Sequence, residues 1–303
     1  MQSAVRRCAK EQLDRALSEL TEKVSTDPAE AIHSARKAIK KERSLLRLVR
    51  GSMPGDQRAR ENATLRDVAR GLSGARDADV MISSIDELSE RFAGQLPATT
   101  FRAIRTHLED GRRAAPSGRG GETDAVEELT AIRARVPEWH LGSGGWTAIE
   151  SGLLRSYRRG RAAFRRARAS GATEELHEWR KRVKDLWYHE RLLAPACGPA
   201  VRGHAKDLDR LSDLLGDDHD LAVLEHELTV DGSSVAVDLE AVRGVIDHRR
   251  AELQTEATRI GERVYAETPK AYRRRLRTSW KAGRALARTP EEQHPAELAA
   301  ATR

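Results

Sequence analysis

Two stretches of sequence decide the fold: IHSARKAIKKERSLLRL at residues 32–48 and LHEWRKRVKDLWYHERL at residues 176–192. Both repeat apolar residues at intervals of three and four, which is typical of an α-helix that buries one side. Cations occupy the opposite side of each, and a histidine stands near each start, His33 in one and His177 in the other. The two segments match at an offset of 144 residues. We interpret them as equivalent helices in two halves of one chain.

A second pair of segments follows in the same order. LSGARDADVMISSIDEL at 72–88 matches LGDDHDLAVLEHEL at 215–228, with an offset of 143 residues between Asp77 and Asp220. Equal motif order with nearly equal spacing indicates a tandem duplication, in which each half is a helical bundle. Alternation typical of β-strands is nearly absent, so the fold class is predicted to be all-α.

Breaks in the helical pattern predict the domain organisation. Residues 1–114 are expected to form the first helical bundle and residues 146–281 the second. The segment 115–145 is predicted to be a linker, because APSGRGGETD at 115–124 and HLGSGGW at 140–146 are small, flexible and polar. Residues 282–303 are predicted to be a frayed tail.

The composition favours a polyanion ligand without identifying it. The chain of 303 residues has 54 Lys and Arg against 47 Asp and Glu, a formal charge of +7. Such a charge suits nucleic acid, acidic lipid, acidic protein or polyphosphate equally well. No apolar stretch is long enough to span a membrane, and the N-terminus lacks the apolar region of a signal peptide. The two distant cysteines fit a reducing, cytoplasmic environment.

Basic helix faces are the candidate binding surface. On the first of the two helices, nearly all charged residues of one face are cations. The second helix has cations at the matching positions, and a third row of arginines precedes it. Like charges at helical spacing repel each other, so these rows make physical sense when a polyanion neutralises them. The candidate ligand-binding residues are His33, Arg36, Lys37, Lys40, Arg43 and Arg47, then Arg158, Arg161 and Arg165, then His177, Arg180, Lys181, Lys184 and Arg191.

The acidic motifs are interpreted first as helix starts. Asp77 and the run Asp217–Asp220 are expected to open new helices, where carboxylates favour the helix dipole. The alternative is that Asp77 or Asp220 orients a cationic side chain.

The sequence contains a spacing of possible metal ligands but no catalytic motif. Glu30 and His33, like Glu174 and His177, have the Glu-x-x-His spacing of di-iron bundles. Cations on the same faces disfavour a bound dication, so we expect no metal. Catalytic and phosphate-loop motifs are absent, so neither enzymatic activity nor a cofactor is expected.

The sequence resembles the CHAD family, the conserved histidine α-helical domain, over roughly residues 3–281. The resemblance is carried by IHSARKAIKKERSLLRLVR at 32–50, GLSGARDADV at 71–80, SYRRGRAAF at 156–164, LHEWRKRVKDLWYHERLL at 176–193 and LLGDDHDLAVL at 214–224. It implies two antiparallel four-helix bundles with pseudo-twofold symmetry and a basic groove that binds inorganic polyphosphate, with association to polyphosphate granules. By the same resemblance Arg76 joins the binding residues, although His219 stands in its place in the second copy.

Binding is expected to work by charge matching, and other functions stay open. His33 and His177 are expected to donate to phosphoryl oxygens, with affinity rising as pH falls toward about 6 if they bind as imidazolium. A nucleic-acid-binding protein, a polyphosphate or triphosphate hydrolase and a purely structural adaptor are the alternatives. Aromatic residues near the second basic face (Tyr157, Trp179, Trp187 and Tyr188) are interpreted mostly as packing residues.

Overall fold

A computed structural model describes residues 2–72, 77–114, 121–230 and 237–286. These residues form α-helices joined by short connections and contain no β-strand, so the predicted all-α class is confirmed. A π-helical turn, Glu19–Lys23, follows the first helix, and a 3₁₀ turn, Val136–Glu138, follows the sixth. The α-helices are α1 (Gln2–Ser18), α2 (Pro28–Leu48), α3 (Gly55–Gly71), α4 (Asp77–Arg91), α5 (Ala98–Ala114), α6 (Gly121–Arg135), α7 (Thr147–Ser170), α8 (Thr173–Cys197), α9 (Pro199–Val230), α10 (Leu239–Val264) and α11 (Pro269–Leu286).

The sequence before the first basic helix predicts a capped helix start, with Asp27 as the N-cap and Pro28 in the first helical position, and the structure confirms it. The Asp27 side chain accepts a hydrogen bond from the backbone N–H of Glu30, at 3.1 Å, and Pro28 occupies the first helical position. Proline suits that position because its missing N–H would have no helical partner there. The helix therefore begins at a defined residue. This start helps to determine which side of α2 faces the core and which side carries the cations.

The described residues bury two hydrophobic cores. The first contains side chains of α1, α2, α3 and α6. The second contains side chains of α7 to α11 together with the pair α4 and α5, which packs against α9. The internal duplication and its pseudo-twofold axis stay predictions, since nothing in this arrangement tests them.

The segment predicted as a linker holds a core helix. Residues 121–135 form α6, and Ala125, Leu129 and Ile132 are buried in the first core. Their spacing of four and three residues makes an apolar stripe, but the flanking glycines and polar residues dominate the sequence pattern. The linker prediction is wrong for α6, and residues 115–120 lie outside the described ranges.

A second difference concerns the acidic run Asp217–Asp220. It does not open a new helix, because α9 continues without a break from Pro199 to Val230. Asp218 is buried within α9, where its carboxylate accepts hydrogen bonds from Arg250 at 3.2 Å and Gln254 at 2.7 Å. Pairing with side chains of α10 replaces the helix-start role expected from the sequence.

The C-terminal end of the described chain is also better ordered than predicted. The basic segment from Pro269 forms α11, which continues to Leu286, past the predicted start of the tail at 282. Tyr272, Leu276 and Trp280 of α11 are buried in the second core. Residues 287–303, the rest of the predicted tail, lie outside the described ranges.

A buried polar network ties α11 and α9 to α8. Glu190 is fully buried; the His204 Nδ1–H donates to its carboxylate at 2.7 Å, and the Tyr272 hydroxyl donates to it at 2.8 Å. His204 Nε2–H also donates to the Val264 carbonyl, at 3.1 Å. Burial opposes a charged imidazole, but the hydrogen bond to Glu190 raises the pKa of His204 above its ordinary value. With hydrogen-bond acceptors at both nitrogens, the geometry favours the imidazolium form of His204 beside Glu190.

Gly152 allows α7 to approach the end of α2. A Cβ built at this position would collide with the backbone carbonyls of Arg47 and Leu48. Replacement by alanine, Gly152→Ala, is expected to lower the free energy of unfolding by about 2 kcal/mol, because the two backbones would have to separate. Urea denaturation measures the change.

The matched control is Gly111→Ala in α5, where nothing lies within 4 Å of the new Cβ. Alanine is a better helix former than glycine, so this variant is expected to be neutral or slightly stabilised. Equal stabilities for the two variants would contradict the close approach of α7 and α2.

Candidate functional site

Helices α2 and α8 meet through a polar contact. The Ser44 hydroxyl of α2 donates to the backbone carbonyl of Asp185 at 3.3 Å, and Arg47 Nη1 pairs with the Asp185 carboxylate at 2.9 Å. In the opposite sense, the fully buried His189 donates from Nε2 to the Ser44 carbonyl at 2.9 Å. Burial lowers the pKa of His189. The two predicted basic helices are therefore packed directly against each other.

Beside this contact the basic faces of α2 and α8 line one cavity of about 520 Å³. We call it the basic cleft. Helix α9 supplies another wall, and two apolar residues of α4 complete the lining. The lining residues are His33, Arg36, Lys37 and Lys40 of α2, Val80 and Met81 of α4, His177, Arg180, Lys184, Trp187 and Tyr188 of α8, and Ser212, Asp213, His219, Asp220 and Val223 of α9.

On both helices, the arginines of the basic cleft are oriented by backbone features. Arg36 Nη1 donates to the carbonyl of Leu72, at 3.0 Å, at the C-terminal end of α3. A cation is favoured there because the helix dipole is negative at that end. Arg180 packs across Gly216, where a Cβ would lie 3.4 Å from its Nη2 atom. These contacts hold the arginine side chains close to the helix surfaces that line the cleft.

Lys184 is a strongly perturbed cation of the basic cleft. Burial and then the charges of Arg180 and Lys40 lower its pKa to about 8, although Asp220 and Asp213 act in the opposite direction. The influence of Lys40 shows that positive charges of α2 and α8 repel each other across the cleft. A bound anion would relieve this repulsion.

Two histidine rings lie together on the α8–α9 side of the basic cleft. The ring centroids of His177 and His219 are 4.3 Å apart. Burial, followed by the influence of His219, Lys181 and Arg180, lowers the pKa of His177 to about 4. His177 is thus a neutral hydrogen-bonding group near pH 6 in the unliganded protein, so it becomes an imidazolium there only if a bound anion raises its pKa.

The remaining predicted residues lie outside the basic cleft. Arg43 donates to Asn62 at 3.2 Å, Arg47 pairs with Asp185 at 2.9 Å, and Lys181 pairs with Glu178 at 3.1 Å. Arg191 stacks over the ring of Trp187, with its Cζ 4.9 Å from the ring centroid. Seven of the predicted residues meet in the cleft: His33, Arg36, Lys37, Lys40, His177, Arg180 and Lys184.

The predicted arginine row of α7 faces a different part of the molecule. Arg161 donates to the backbone carbonyl of Tyr265 at 3.2 Å, and with Arg165 it lines a separate cavity that includes Glu262 of α10. Arg158 is exposed on the same helix and does not line the basic cleft. Arg76 lies outside the described residues, as does the side chain of Asp77.

The sequence patterns missed the contribution of α9 and α4 to the cleft. Ser212 and Asp213 carry no motif that marks them in the sequence. The apolar lining by Val80 and Met81 follows from the packing of α4 against α9, for which the sequence held no signal. Asp220, weighed as a residue that orients a cation, lines the cleft and acts on Lys184.

The chain belongs to the CHAD family, as the resemblance predicted: the model of the CHAD domain matches residues 7–229. Among curated proteins it is similar to two uncharacterized proteins of Mycobacterium tuberculosis, from strains CDC 1551 and H37Rv. Each is 28% identical over 239 residues, covering 71% of this chain and 44% of the relative. The chain therefore spans less than half the length of these relatives.

No helix among the described residues is long and apolar enough to cross a membrane. Within residues 2–72, 77–114, 121–230 and 237–286, no group of three or more His, Cys, Asp or Glu side chains is placed to hold a metal ion.

Proposed function

We propose that the protein binds inorganic polyphosphate in the basic cleft and does so without catalysing a reaction. Membership of the CHAD family supports this ligand, because the family resemblance implies polyphosphate binding. The single observation that carries the proposal is the convergence of cations from α2 and α8 on one cavity. Association with polyphosphate granules in the cytoplasm is part of the same proposal.

The charges of the cleft support a linear polyanion. Five Lys and Arg side chains line it (Arg36, Lys37, Lys40, Arg180 and Lys184), against two carboxylates, Asp213 and Asp220. Arg offers forked N–H donors that match two phosphoryl oxygens, and Lys offers a compact charge. Release of counterions from the polyanion would add to affinity, so binding would weaken steeply with salt.

The aromatic residues favour polyphosphate over single-stranded nucleic acid. Tyr157 is fully buried, Trp179 is 1% exposed, and Trp187 and Tyr188 are each 9% exposed. Base stacking needs an accessible ring face, and burial leaves little of Trp187 and Tyr188 exposed although both line the cleft. This burial supports the interpretation of most of these aromatic residues as packing residues.

Reversal of the cleft charges tests the site. The variant Arg36→Glu, Lys40→Glu, Arg180→Glu and Lys184→Glu is expected to weaken polyphosphate binding by at least about 100-fold, because attraction becomes repulsion across the cleft. Isothermal titration calorimetry in low salt would measure the affinity, with a thermal melt to verify folding.

A matched control reverses four exposed arginines elsewhere: Arg158→Glu, Arg165→Glu, Arg274→Glu and Arg277→Glu. The net charge changes by the same amount, so only its location differs. Similar losses in both variants would contradict a binding site in the basic cleft and would indicate attraction by net charge alone.

Lys184 makes the affinity depend on pH. Its pKa is about 8 in the unliganded protein, and a bound phosphate would raise it. Binding then takes up a proton above pH 8, so affinity is full below about 8 and falls as pH rises toward the higher pKa of the complex. The wild type is expected to lose about tenfold in affinity between about pH 7.5 and 9.5.

The variant Lys184→Arg is the matched comparison, because arginine stays charged throughout this range. It is expected to give a flatter pH profile by fluorescence-detected binding. A profile as steep as that of the wild type would contradict the role of Lys184.

Competition distinguishes the ligand class, and product analysis tests catalysis. Polyphosphate is expected to displace a bound single-stranded RNA at equal phosphate concentration, because the cleft supplies cations without a stacking surface. Fluorescence anisotropy of labelled RNA would follow the displacement, and failure to displace would favour nucleic acid as the ligand.

Phosphate release in the presence of Mg²⁺ or Mn²⁺ would contradict the non-catalytic part of the proposal.

A further inference from the structure

Three cavities follow one another along α2. The N-terminal part of the helix, with Glu30 and His33, lines a cavity of about 890 Å³. Residues 33–40 line the basic cleft, and Lys41 and Leu45 line a third, smaller cavity of about 180 Å³. His33 borders both the first cavity and the cleft. The electrostatic character of the two outer cavities decides in which direction a long polyanion would leave the cleft.

The cavity beyond Lys40, which we call the exit pocket, continues the basic faces of both helices. On α8, Lys184, Tyr188 and Arg191 follow at intervals of four and three residues, so they share one side of the helix. Tyr188 lines both the basic cleft and the exit pocket and is the shared wall between them. The lining residues of the exit pocket are Cys8, Glu11 and Gln12 of α1, Lys41 and Leu45 of α2, and Tyr188, Arg191 and Leu192 of α8.

Cations predominate around the exit pocket. Burial, followed by the charges of Arg15, Arg191 and Lys37, lowers the pKa of Lys41. The electrostatic field at Lys41 thus comes from α1, α2 and α8 together and includes Lys37 of the cleft. The one carboxylate of the lining, Glu11, is exposed and lies 3.7 Å from Arg7. Burial and the charge of Asp213 raise the pKa of Asp209 in α9, while the charges of Arg191 and Lys37 act in the opposite direction.

Arg191 lies beside an aromatic ring at the edge of the exit pocket. Its guanidinium lies over the ring of Trp187, 4.9 Å from the ring centroid. Stacking uses the face of the guanidinium and leaves its N–H groups directed outward in the plane. This contact favours a position of the cation at the edge of the exit pocket, where its N–H groups can meet a phosphate.

The cavity at the other end of α2 has the opposite character, and we call it the acidic basin. Asp27, Glu30, Glu87, Glu90 and Asp217 line it. Partial burial, and then the like charges of Glu87, Asp213 and Asp220, raise the pKa of Asp217 to about 6.

The cations of the acidic basin already have carboxylate partners. Arg112 pairs with Asp79 at 2.9 Å, and Arg91 and Arg249 pair with Glu252 at 2.9 and 3.1 Å. Arg249 partly offsets the charge of Asp217, but a polyanion entering the basin would meet more carboxylates than arginines, so this direction is unfavourable.

We propose that Lys41 and Arg191 form a second phosphate-binding subsite, and that a polyphosphate chain longer than the basic cleft leaves it past Tyr188 toward this subsite and away from the acidic basin. The inference rests on the proposed function, because it assigns a direction to the ligand of the same cleft. It predicts that the protein distinguishes chain lengths: short chains occupy the cleft alone, while long chains also use the exit pocket.

The test compares tripolyphosphate with long-chain polyphosphate on the variant Lys41→Gln with Arg191→Gln, in about 0.15 M salt, where screening limits effects over distance. Affinity for long chains is expected to fall about tenfold, while affinity for tripolyphosphate stays within about twofold of the wild type. For long chains the slope of log affinity against log salt is expected to become shallower by about 1.4, by analogy with single strands. Unchanged tripolyphosphate binding also shows that the variant is folded.

The matched control removes two cations at the other end of the cleft, Arg91→Gln with Arg112→Gln, and is expected to bind both ligands as the wild type does. A selective loss of long-chain affinity in this control would overturn the direction. No selective loss in the Lys41 and Arg191 variant, or equal losses for both ligands, would overturn the subsite. If the wild type binds neither ligand, the proposed function itself fails, and that result is distinct from the others.

Discussion

The polar contact between α2 and α8 is the constraint on which the site depends. Ser44, Asp185 and His189 exchange hydrogen bonds at this contact, and Arg47 adds an ion pair to Asp185. The buried hydroxyl of Ser44 on α2 and the buried His189 on α8 allow two strongly basic helices to approach each other. Without these contacts, the repulsion between their cations would favour separation. The same contact fixes the distance across which the two basic faces line one cleft.

Electrostatic strain in the cleft has a clear physical origin. The lowered pKa of Lys184 shows that burial and neighbouring cations work against its charge in the absence of a ligand. The fold tolerates this cost because the apolar sides of α2 and α8 are packed into two cores. A stable scaffold that carries an unfavourable cluster of like charges is typical of a binding site, since the bound ligand relieves the repulsion between those charges.

Sequence patterns predicted the fold class, the capped start of α2 and seven of the residues that line the cleft. These features depend on local spacing, which the chain displays directly. Helix α6 was missed because glycines and polar residues surround Ala125, Leu129 and Ile132. The continuity of α9 was missed because Asp218 is neutralised by Arg250, a partner distant in sequence. The arginines of α7 share one side of their helix, but periodicity does not reveal which neighbour that side faces, and here it is α10.

Helix α11 has a consequence for how fragments of this protein should be cut. The family match ends at residue 229, yet α10 and α11 bury side chains in the second core, among them Leu253, Leu276 and Trp280. Trimming to the matched residues would expose an apolar surface and remove the Tyr272 hydroxyl from the buried Glu190. Exposed core surface promotes aggregation. Recombinant boundaries are therefore better chosen from the packed core, at or beyond Leu286, than from the extent of the family profile.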